Sequence, residues 1–281
     1  MDKENSEIEK LCEKMESAGK SKHDVFVALS HILDCSVGEA KLATPDKKRV
    51  KCLTKIIETR IKKNKPIDKI LKTKSFYGRE FFVNDKVLSP RPETELLVEE
   101  VKKNVEILRS AQNDKDIKIL DLCCGSGCIG VCLEAHIFAD ISKKALKVAK
   151  KNGAKNVVQG FLFQNIKEKF DIIVSNPPYI SEKEFENLDP EVKNYDLKIS
   201  LVAKDNGYQL IEAIIKQAPA YLEDGGMLFL EIGHLQGGLT VKFMEENGYK
   251  DVIVKQDYNG QDRIVYGIIK GAKTNEQHKT I

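Results

Sequence analysis

The sequence predicts an α/β protein in which a mostly parallel sheet, covered on both faces, follows a small all-helical domain. Three observations carry this. From Ile117 onwards strand-like and helix-like segments alternate, as parallel strands joined by crossover helices do. Residues 1–74 show helical periodicity and no strand-like alternation. At 281 residues the chain is long enough for one sizeable α/β domain and a small second one.

In the helical domain, 1–74, Ile8, Leu11, Cys12 and Met15 recur at helical spacing. Ser21 reads as the cap of a second helix carrying Val25, Phe26, Leu29 and Ile32, and Pro45 as the first-turn residue of a third. The third helix presents Val50, Leu53, Ile56, Ile57 and Ile61 on one face and ends before Pro66. Over 75–92 the period changes to two. Phe81-Phe82-Val83, a turn at Asn84-Asp85 and Lys86-Val87-Leu88 predict a β-hairpin linker. It runs into Ser89-Pro90-Arg91-Pro92-Glu93-Thr94-Glu95, stiffened by two prolines, and Glu93 opens a helix with Leu96, Leu97, Val101, Val105 and Leu108 on its apolar face.

The main domain, 93–270, holds seven predicted strands, at 117–122, 136–140, 156–163, 170–175, 226–232, 251–255 and 263–269. Helices are expected near 129–134, 142–152, 206–222 and 237–247. Only Gln256 to Asp262 separate the last two strands, so they form a hairpin that gives the parallel sheet one antiparallel member. Ser110 to Asp116 reads as a polar loop, and the tail 271–281 as polar and disordered.

Lys plus Arg at 46 against Asp plus Glu at 43 gives a net charge of +3, which lacks the strong positive field of a dedicated nucleic-acid binder. The exception is local: Asp46 to Arg79 carries 13 basic against 3 acidic residues, either a solvated helix face or a binding patch. Cys12, Cys35, Cys52, Cys123, Cys124, Cys128 and Cys132 lack the spacing of a metal site and read as small apolar residues. Reduced thiols, no membrane-spanning run and a charged start at Met1-Asp2-Lys3-Glu4 lead to the expectation of a cytoplasmic protein.

The chemistry sits at strand ends. The first main-domain strand ends in Asp121-Leu122-Cys123-Cys124-Gly125-Ser126-Gly127-Cys128-Ile129-Gly130. Glycines at a strand-to-helix turn let backbone approach a nucleotide, and the helix start offers free N–H groups. A phosphate-binding loop would need Lys-Ser or Lys-Thr after its last glycine, and none is present. Gly125, Gly127 and Gly130 do satisfy the dinucleotide fingerprint, so a nicotinamide enzyme stands as a rival. At the end of the second strand Asp140 can accept both hydroxyls of a ribose, with Ser142 capping the next helix by itself and leaving Asp140 free. The span from Gly125 to Asp140 leaves room for barely two helical turns.

The fourth strand, Phe170 to Ser175, stops at Asn176-Pro177-Pro178-Tyr179. The prolines fix the backbone and remove two donors. Asn176 Oδ1 and the Pro177 carbonyl can then accept both hydrogens of a planar NH2 group, with Tyr179 stacked on its plane. Such a nitrogen is a poor nucleophile because its lone pair is delocalised. Acceptors aimed at its hydrogens stabilise the charge that builds as it pyramidalises, and a fixed pose supplies in-line approach to a sulfonium methyl. The tip therefore suits methylation of an amide or an exocyclic amine, with no metal called for.

Val87-Leu88-Ser89-Pro90-Arg91-Pro92-Glu93-Thr94-Glu95, the Asp121 to Gly127 turn and Val174-Ser175-Asn176-Pro177-Pro178-Tyr179-Ile180 together resemble the release-factor glutamine methyltransferases (the HemK or PrmC family). Asp205-Asn206-Gly207 and Leu230-Glu231-Ile232-Gly233 are similar too, and the likeness runs from about Phe76 to Ile269. The resemblance implies a class I (Rossmann-like) seven-stranded methyltransferase sheet, S-adenosylmethionine as methyl donor, and transfer to the glutamine side-chain amide in the Gly-Gly-Gln loop of peptide chain release factors. It implies that Asp121, Cys123, Cys124, Gly125, Ser126, Gly127, Asp140, Leu162 and Asn176 hold the cofactor. It gives catalysis to Asn176, Pro177 and Tyr179, further substrate contacts to Pro178, Arg91 and Glu93, and release-factor docking to the helical domain; the chain itself is expected to be a monomer.

Cys123 stands where the family usually has glycine, which calls for φ below zero. Gly160-Phe161-Leu162-Phe163 brings no carboxylate to the adenine, leaving Leu162 to line it. Two alternatives stay open. A nucleic-acid amino methyltransferase would present adenine N6 or guanine N2 to the same tip, though no target-recognition domain is apparent. The missing acid near Phe161 and the short approach to Asp140 suggest, in another class, an inactive cofactor-binding adaptor.

Overall fold

Each amino-terminal helix carries one apolar stripe, and the stripes bury one another. A computed structural model describes residues 3–111 and 116–269. Its first five helices are α1 (Lys3–Ser17), α2 (His23–Leu33), α3 (Val37–Leu42), α4 (Lys47–Lys63) and α5 (Ile67–Leu71). Ile8, Leu11, Met15, Val25, Leu29, Leu53 and Ile57 meet in one core. The short helices α3 and α5 are additions to the sequence reading, since one or two turns show no usable periodicity. The caps also differ. Asp46 caps α4, which starts at Lys47 and leaves Pro45 outside it, the Asp46 side chain accepting from the Arg49 N–H at 2.9 Å. Lys22 directly precedes α2 and caps it with no side chain, while the Ser21 hydroxyl, as expected, accepts the His23 N–H at 3.2 Å.

The hairpin forms one turn earlier than expected. Strands β1 (Thr73–Phe76) and β2 (Arg79–Phe82) pair antiparallel across Tyr77-Gly78. Both turn residues have positive φ, 50° and 70°, matching the twist of a two-residue hairpin. Residues 86–88 make no strand because their potential ladder partners are taken. The Asn84 side chain accepts the Lys86 N–H, and the ammonium of Lys69, only 2% exposed, donates to the carbonyls of Asn84 and Val87.

The main domain continues through α6 (Glu93–Ala111), β3 (Ile119–Leu122), α7 (Cys128–Leu133), β4 (Ile137–Asp140), α8 (Lys143–Lys151), β5 (Val157–Gln159) and β6 (Phe170–Ser175). Then come α9 (Glu182–Glu186), α10 (Pro190–Tyr195), α11 (Gln209–Gln217), β7 (Leu222–Glu231), α12 (Gly237–Glu246), β8 (Tyr249–Gln256) and β9 (Asp262–Ile269). Seven strands make one sheet in the order β5-β4-β3-β6-β7-β9-β8, with β9 antiparallel to both its neighbours, as the sequence reading expects. All six residues of β6 are buried, which fits the apolar Phe170, Ile172, Ile173 and Val174 that dominate its sequence. The strand at 156–163 is cut to three residues. A side chain at Gly160 would meet the Gln164 carbonyl at 2.2 Å, and Leu162 has φ +48°, so the chain turns away there. Of the loop expected at 110–116, Ser110 and Ala111 close α6, while 112–115 lie outside the described residues, as does the tail 271–281. Among the described residues no helix is long and apolar enough to cross a membrane.

The chain winds outward from β3 to β4 and β5, then returns to place β6 on the other flank of β3, with Leu122 in register with Ser175. This is the switch point of a doubly wound sheet, where a crevice opens beyond the carboxyl ends of the strands. Both chemical motifs therefore end side by side.

Residues 181–203, which carry α9 and α10, bind the helical module to the main domain. Arg60, its side chain 7% exposed, bridges Asp24 and Glu191 at 2.8 Å each, and Lys20 also pairs with Glu191. The Tyr195 hydroxyl donates to the Lys63 carbonyl. Asp196 sits between Lys69 at 3.1 Å and Arg91 at 3.0 Å. Within the basic stretch 46–79, Arg60 and Lys69 are thus buried partners of acids. Arg60→Ala strips Asp24 of its partner and leaves Glu191 to Lys20 alone, and denaturant unfolding should show a loss of about 3 kcal/mol. A loss below about 1 kcal/mol, the worth of a surface pair, would contradict this.

Candidate active site

The crevice is an open cleft. Its floor is Leu122 to Ser126, one wall is Asp140 to Ser142 with Gly160 to Leu162, and the other wall is Asn176 and Pro178. Val87 to Arg91 with Thr94 close one end, and Leu197, Ile199 and Ser200 of the 181–203 segment form a roof. The roof is fixed to the tip by backbone: the Ile180 N–H donates to Leu201 and the Ala203 N–H to Ile180, each at 2.9 Å.

Cys123 has φ +59°, contrary to the expectation of a negative value. The chain must bend sharply as it leaves β3, and a cysteine occupies the left-handed conformation that glycine takes without cost. Gly125 and Gly127 follow with φ +53° and +77°. Asp140 is not left free. Its Oδ2 accepts the Gly125 N–H at 2.9 Å and its Oδ1 the Ser142 N–H at 2.7 Å, while Ser142 caps α8. Each oxygen keeps a further lone pair, so Asp140 both braces the glycine turn and lines the cleft. Burial raises its proton affinity and the two N–H groups oppose that rise.

Gly130 answers the dinucleotide fingerprint. A Cβ there would lie 2.4 Å from the Phe138 ring and 2.7 Å from Asp121 Oδ2, so this glycine lets α7 press against the sheet. Its N–H donates to Asp121 Oδ2 at 2.9 Å. Asp121 is fully buried beneath the turn and does not line the cleft; burial drives its carboxyl up to about 8, so it is neutral at pH 7. Cys124, Cys128 and Cys132 are likewise buried.

At the second tip, Asn176 is half-buried on the cleft wall, and its Nδ2 donates to Thr94 Oγ1 at 3.3 Å. Pro178 lines the cleft. Pro177 lies buried behind it, its carbonyl accepting no hydrogen bond among the described residues. Tyr179 does not reach the cleft: its hydroxyl donates to Glu231 Oε1 at 3.2 Å, and burial raises the phenol's proton affinity. The Tyr179 carbonyl accepts from Gln236 Nε2 at 3.0 Å, and a Cβ on Gly207 would fall 2.0 Å from that oxygen. The Asp205-Asn206-Gly207 turn therefore packs backbone to backbone on the tip. Arg91 lines the cleft and holds Asp196, whereas Glu93 is exposed on the first turn of α6, outside the cleft.

The structure thus brings Cys123, Cys124, Gly125, Ser126, Asp140, Leu162, Asn176, Pro178 and Arg91 around one cleft. Asp121, Gly127, Pro177, Tyr179 and Glu93 are set behind or beside it. Sequence reasoning gave no role to Thr94, Glu231 or Gln236, nor to the roof. The first two stand inside quoted motifs, but the roof is a short 3-10 turn with no periodicity to read.

Cys123→Gly should relieve about 1–2 kcal/mol of left-handed strain, less what glycine adds to unfolded-chain entropy. Denaturant titration should show a net gain of up to about 1 kcal/mol, and a loss would contradict strain at this position. Because the Asp121 carboxyl is raised from 3.8 to about 8, its contribution to stability is full below about pH 4 and falls as pH climbs towards 8. Asp121→Asn should flatten that decline in thermal midpoint, and an unchanged slope would contradict a buried neutral acid.

The model of the methyltransferase small domain family matches residues 92–190. A release factor glutamine methyltransferase of Flavobacterium psychrophilum is 39% identical over 220 residues, covering 73% of this chain and 76% of its own. One from Thermodesulfovibrio yellowstonii is 37% identical over 223 residues, covering 75% and 78%. Among solved structures, a T. thermophilus 16S rRNA N2 G1207 methyltransferase in complex with AdoMet and guanosine superposes with a TM-score of 0.50 over 70% of this chain and 50% of its own, at 17% identity, which is a likeness of fold. With this identity sustained over three quarters of both chains, and with its glycine turn and Asn-Pro-Pro-Tyr tip meeting at one cleft, the chain belongs to the release factor glutamine methyltransferases.

Proposed function

We propose that the protein transfers a methyl group from S-adenosylmethionine to the side-chain amide nitrogen of the glutamine in the Gly-Gly-Gln loop of a peptide chain release factor. Membership of the family supports this. The observation that carries it is the meeting, at one cleft, of a glycine turn braced by Asp140 with an Asn176 tip whose oxygen end is not engaged by Thr94.

An adenosyl group suits the residues present. A Cβ on Gly125 would meet nothing within 4 Å, so a ligand can lie directly against the turn's backbone. Asp140 offers its remaining lone pairs to ribose hydroxyls, and Ile141, Phe161 and Leu162 supply apolar surface for a base. When bound, S-adenosylmethionine supplies a methyl group on a sulfonium, ready for displacement by a nitrogen nucleophile. Asn176 Oδ1 accepts one N–H of the glutamine amide and the Pro177 carbonyl the other, stabilising the charge that develops as the nitrogen pyramidalises. Pro178, with no N–H of its own, presents no competing donor. The roof covers one side of the cleft, and its attachment to α4 and α5 through Arg60 and Lys69 links the cleft to the helical module, which docks the release factor. The enzyme acts as a cytoplasmic monomer, with the exposed part of the basic stretch facing solvent.

Labelled S-adenosylmethionine offered release factor, its Gln-to-Ala loop variant and total RNA should label the wild-type factor alone; label in RNA and none in the factor would overturn the proposal. Asn176→Ala should lower turnover about 100- to 1000-fold, as loss of one transition-state-stabilising group does. A variant with full turnover would refute the amide clamp.

A further inference from the structure

The Asn176 amide has two ends, and a layer beneath the cleft decides which one faces out. Its Nδ2 donates to Thr94 Oγ1. Thr94 is 2% exposed, so its hydroxyl has no access to bulk water. With that oxygen accepting from Asn176, the hydroxyl hydrogen needs an acceptor of its own, and the neighbouring candidate is the Glu231 carboxyl, whose ionised form Thr94 favours. Glu231 is equally buried. Its Oε1 receives the Tyr179 hydroxyl, and its Oε2 has no hydrogen-bond partner among the described residues. With Glu231 ionised and taking the Thr94 hydrogen, the hydroxyl can only accept from an amide, so the NH2 end of Asn176 is the one that satisfies Thr94. The oxygen end is left for the cleft.

Building on the function proposed above, we propose that Thr94 and Glu231 are positioning residues that lock Asn176 in the one amide orientation that offers an acceptor to a substrate NH2. A reversed amide would set donor against donor. Strand β7, which delivers Glu231, and helix α6, which delivers Thr94, thereby reach the reacting nitrogen through a single side chain. The same arrangement accounts for the position of Tyr179, whose hydroxyl donates to Glu231 Oε1 instead of its ring lying on the substrate.

Two readouts test this. In the wild-type protein the Asn176 side-chain NH2 signals, assigned through Asn176→Asp, should exchange with solvent slowly, and exchange at the rate of a free amide overturns the lock. Thr94→Val keeps the shape and removes the hydroxyl. It should speed that exchange and lower kcat about tenfold, the effect of one ordinary hydrogen bond, with the cofactor Kd kept within about twofold. Thr94→Ser should restore both. Unchanged NH2 exchange in Thr94→Val, or equal loss in the Val and Ser variants, overturns the lock in favour of packing alone. A wild-type protein that binds cofactor and leaves the release factor unmethylated defeats the proposed function instead, while the NH2 signals still decide the lock.

Discussion

The site depends on one constraint of topology, that β3 and β6 are neighbours although β4 and β5 come between them in the chain. Their register sets Leu122 against Ser175, and the residues that follow each strand are thrown to the same end of the sheet. One tip is a run of positive-φ positions at Cys123, Gly125 and Gly127 that leaves backbone open to a ligand. The other is stiff, with two consecutive prolines. A turn with open backbone admits a ligand closely and a stiff one holds an acceptor still, a division of labour suited to methyl transfer onto a weak nucleophile.

Second to that constraint is the way each tip is braced from behind. Asp140 ties the glycine turn to β4, and Gly130 allows α7 to press on Asp121. On the other side Gln236, Gly207 and Glu231 hold the backbone and ring of Tyr179. Two of the buried acids, Asp121 and Glu231, are held up to about 8 and about 7 by desolvation, so neither brings a full fixed charge close to the cleft at neutral pH. The roof adds a third support. Its acids Glu191 and Asp196 are held by Arg60, Lys20 and Lys69 of the helical module, so the module and the cleft share a wall.

What could be read from the sequence was what is local. The strands announce themselves by β-branched runs, and both chemical tips are contiguous, so the seven-stranded sheet and the residues at Gly125, Asp140 and Asn176 were legible. What depended on distant partners was not. The hairpin moved because Lys69 claimed the carbonyls of Asn84 and Val87. The Tyr179 ring turned because Glu231, far along the chain, offered its hydroxyl an acceptor. Cys123 adopted a conformation that its side chain argues against, because the turn's geometry overrides one residue's preference. The roof stayed invisible, since α9, α10 and a 3-10 turn are each too short to show a period.

The clamp at Asn176 can be seen directly in a crystal structure with S-adenosylhomocysteine and a Gly-Gly-Gln peptide. The expected result places the glutamine NH2 within about 3 Å of both Asn176 Oδ1 and the Pro177 carbonyl. A glutamine whose NH2 lies elsewhere, or an Asn176 turned with its own NH2 towards the peptide, would contradict the account.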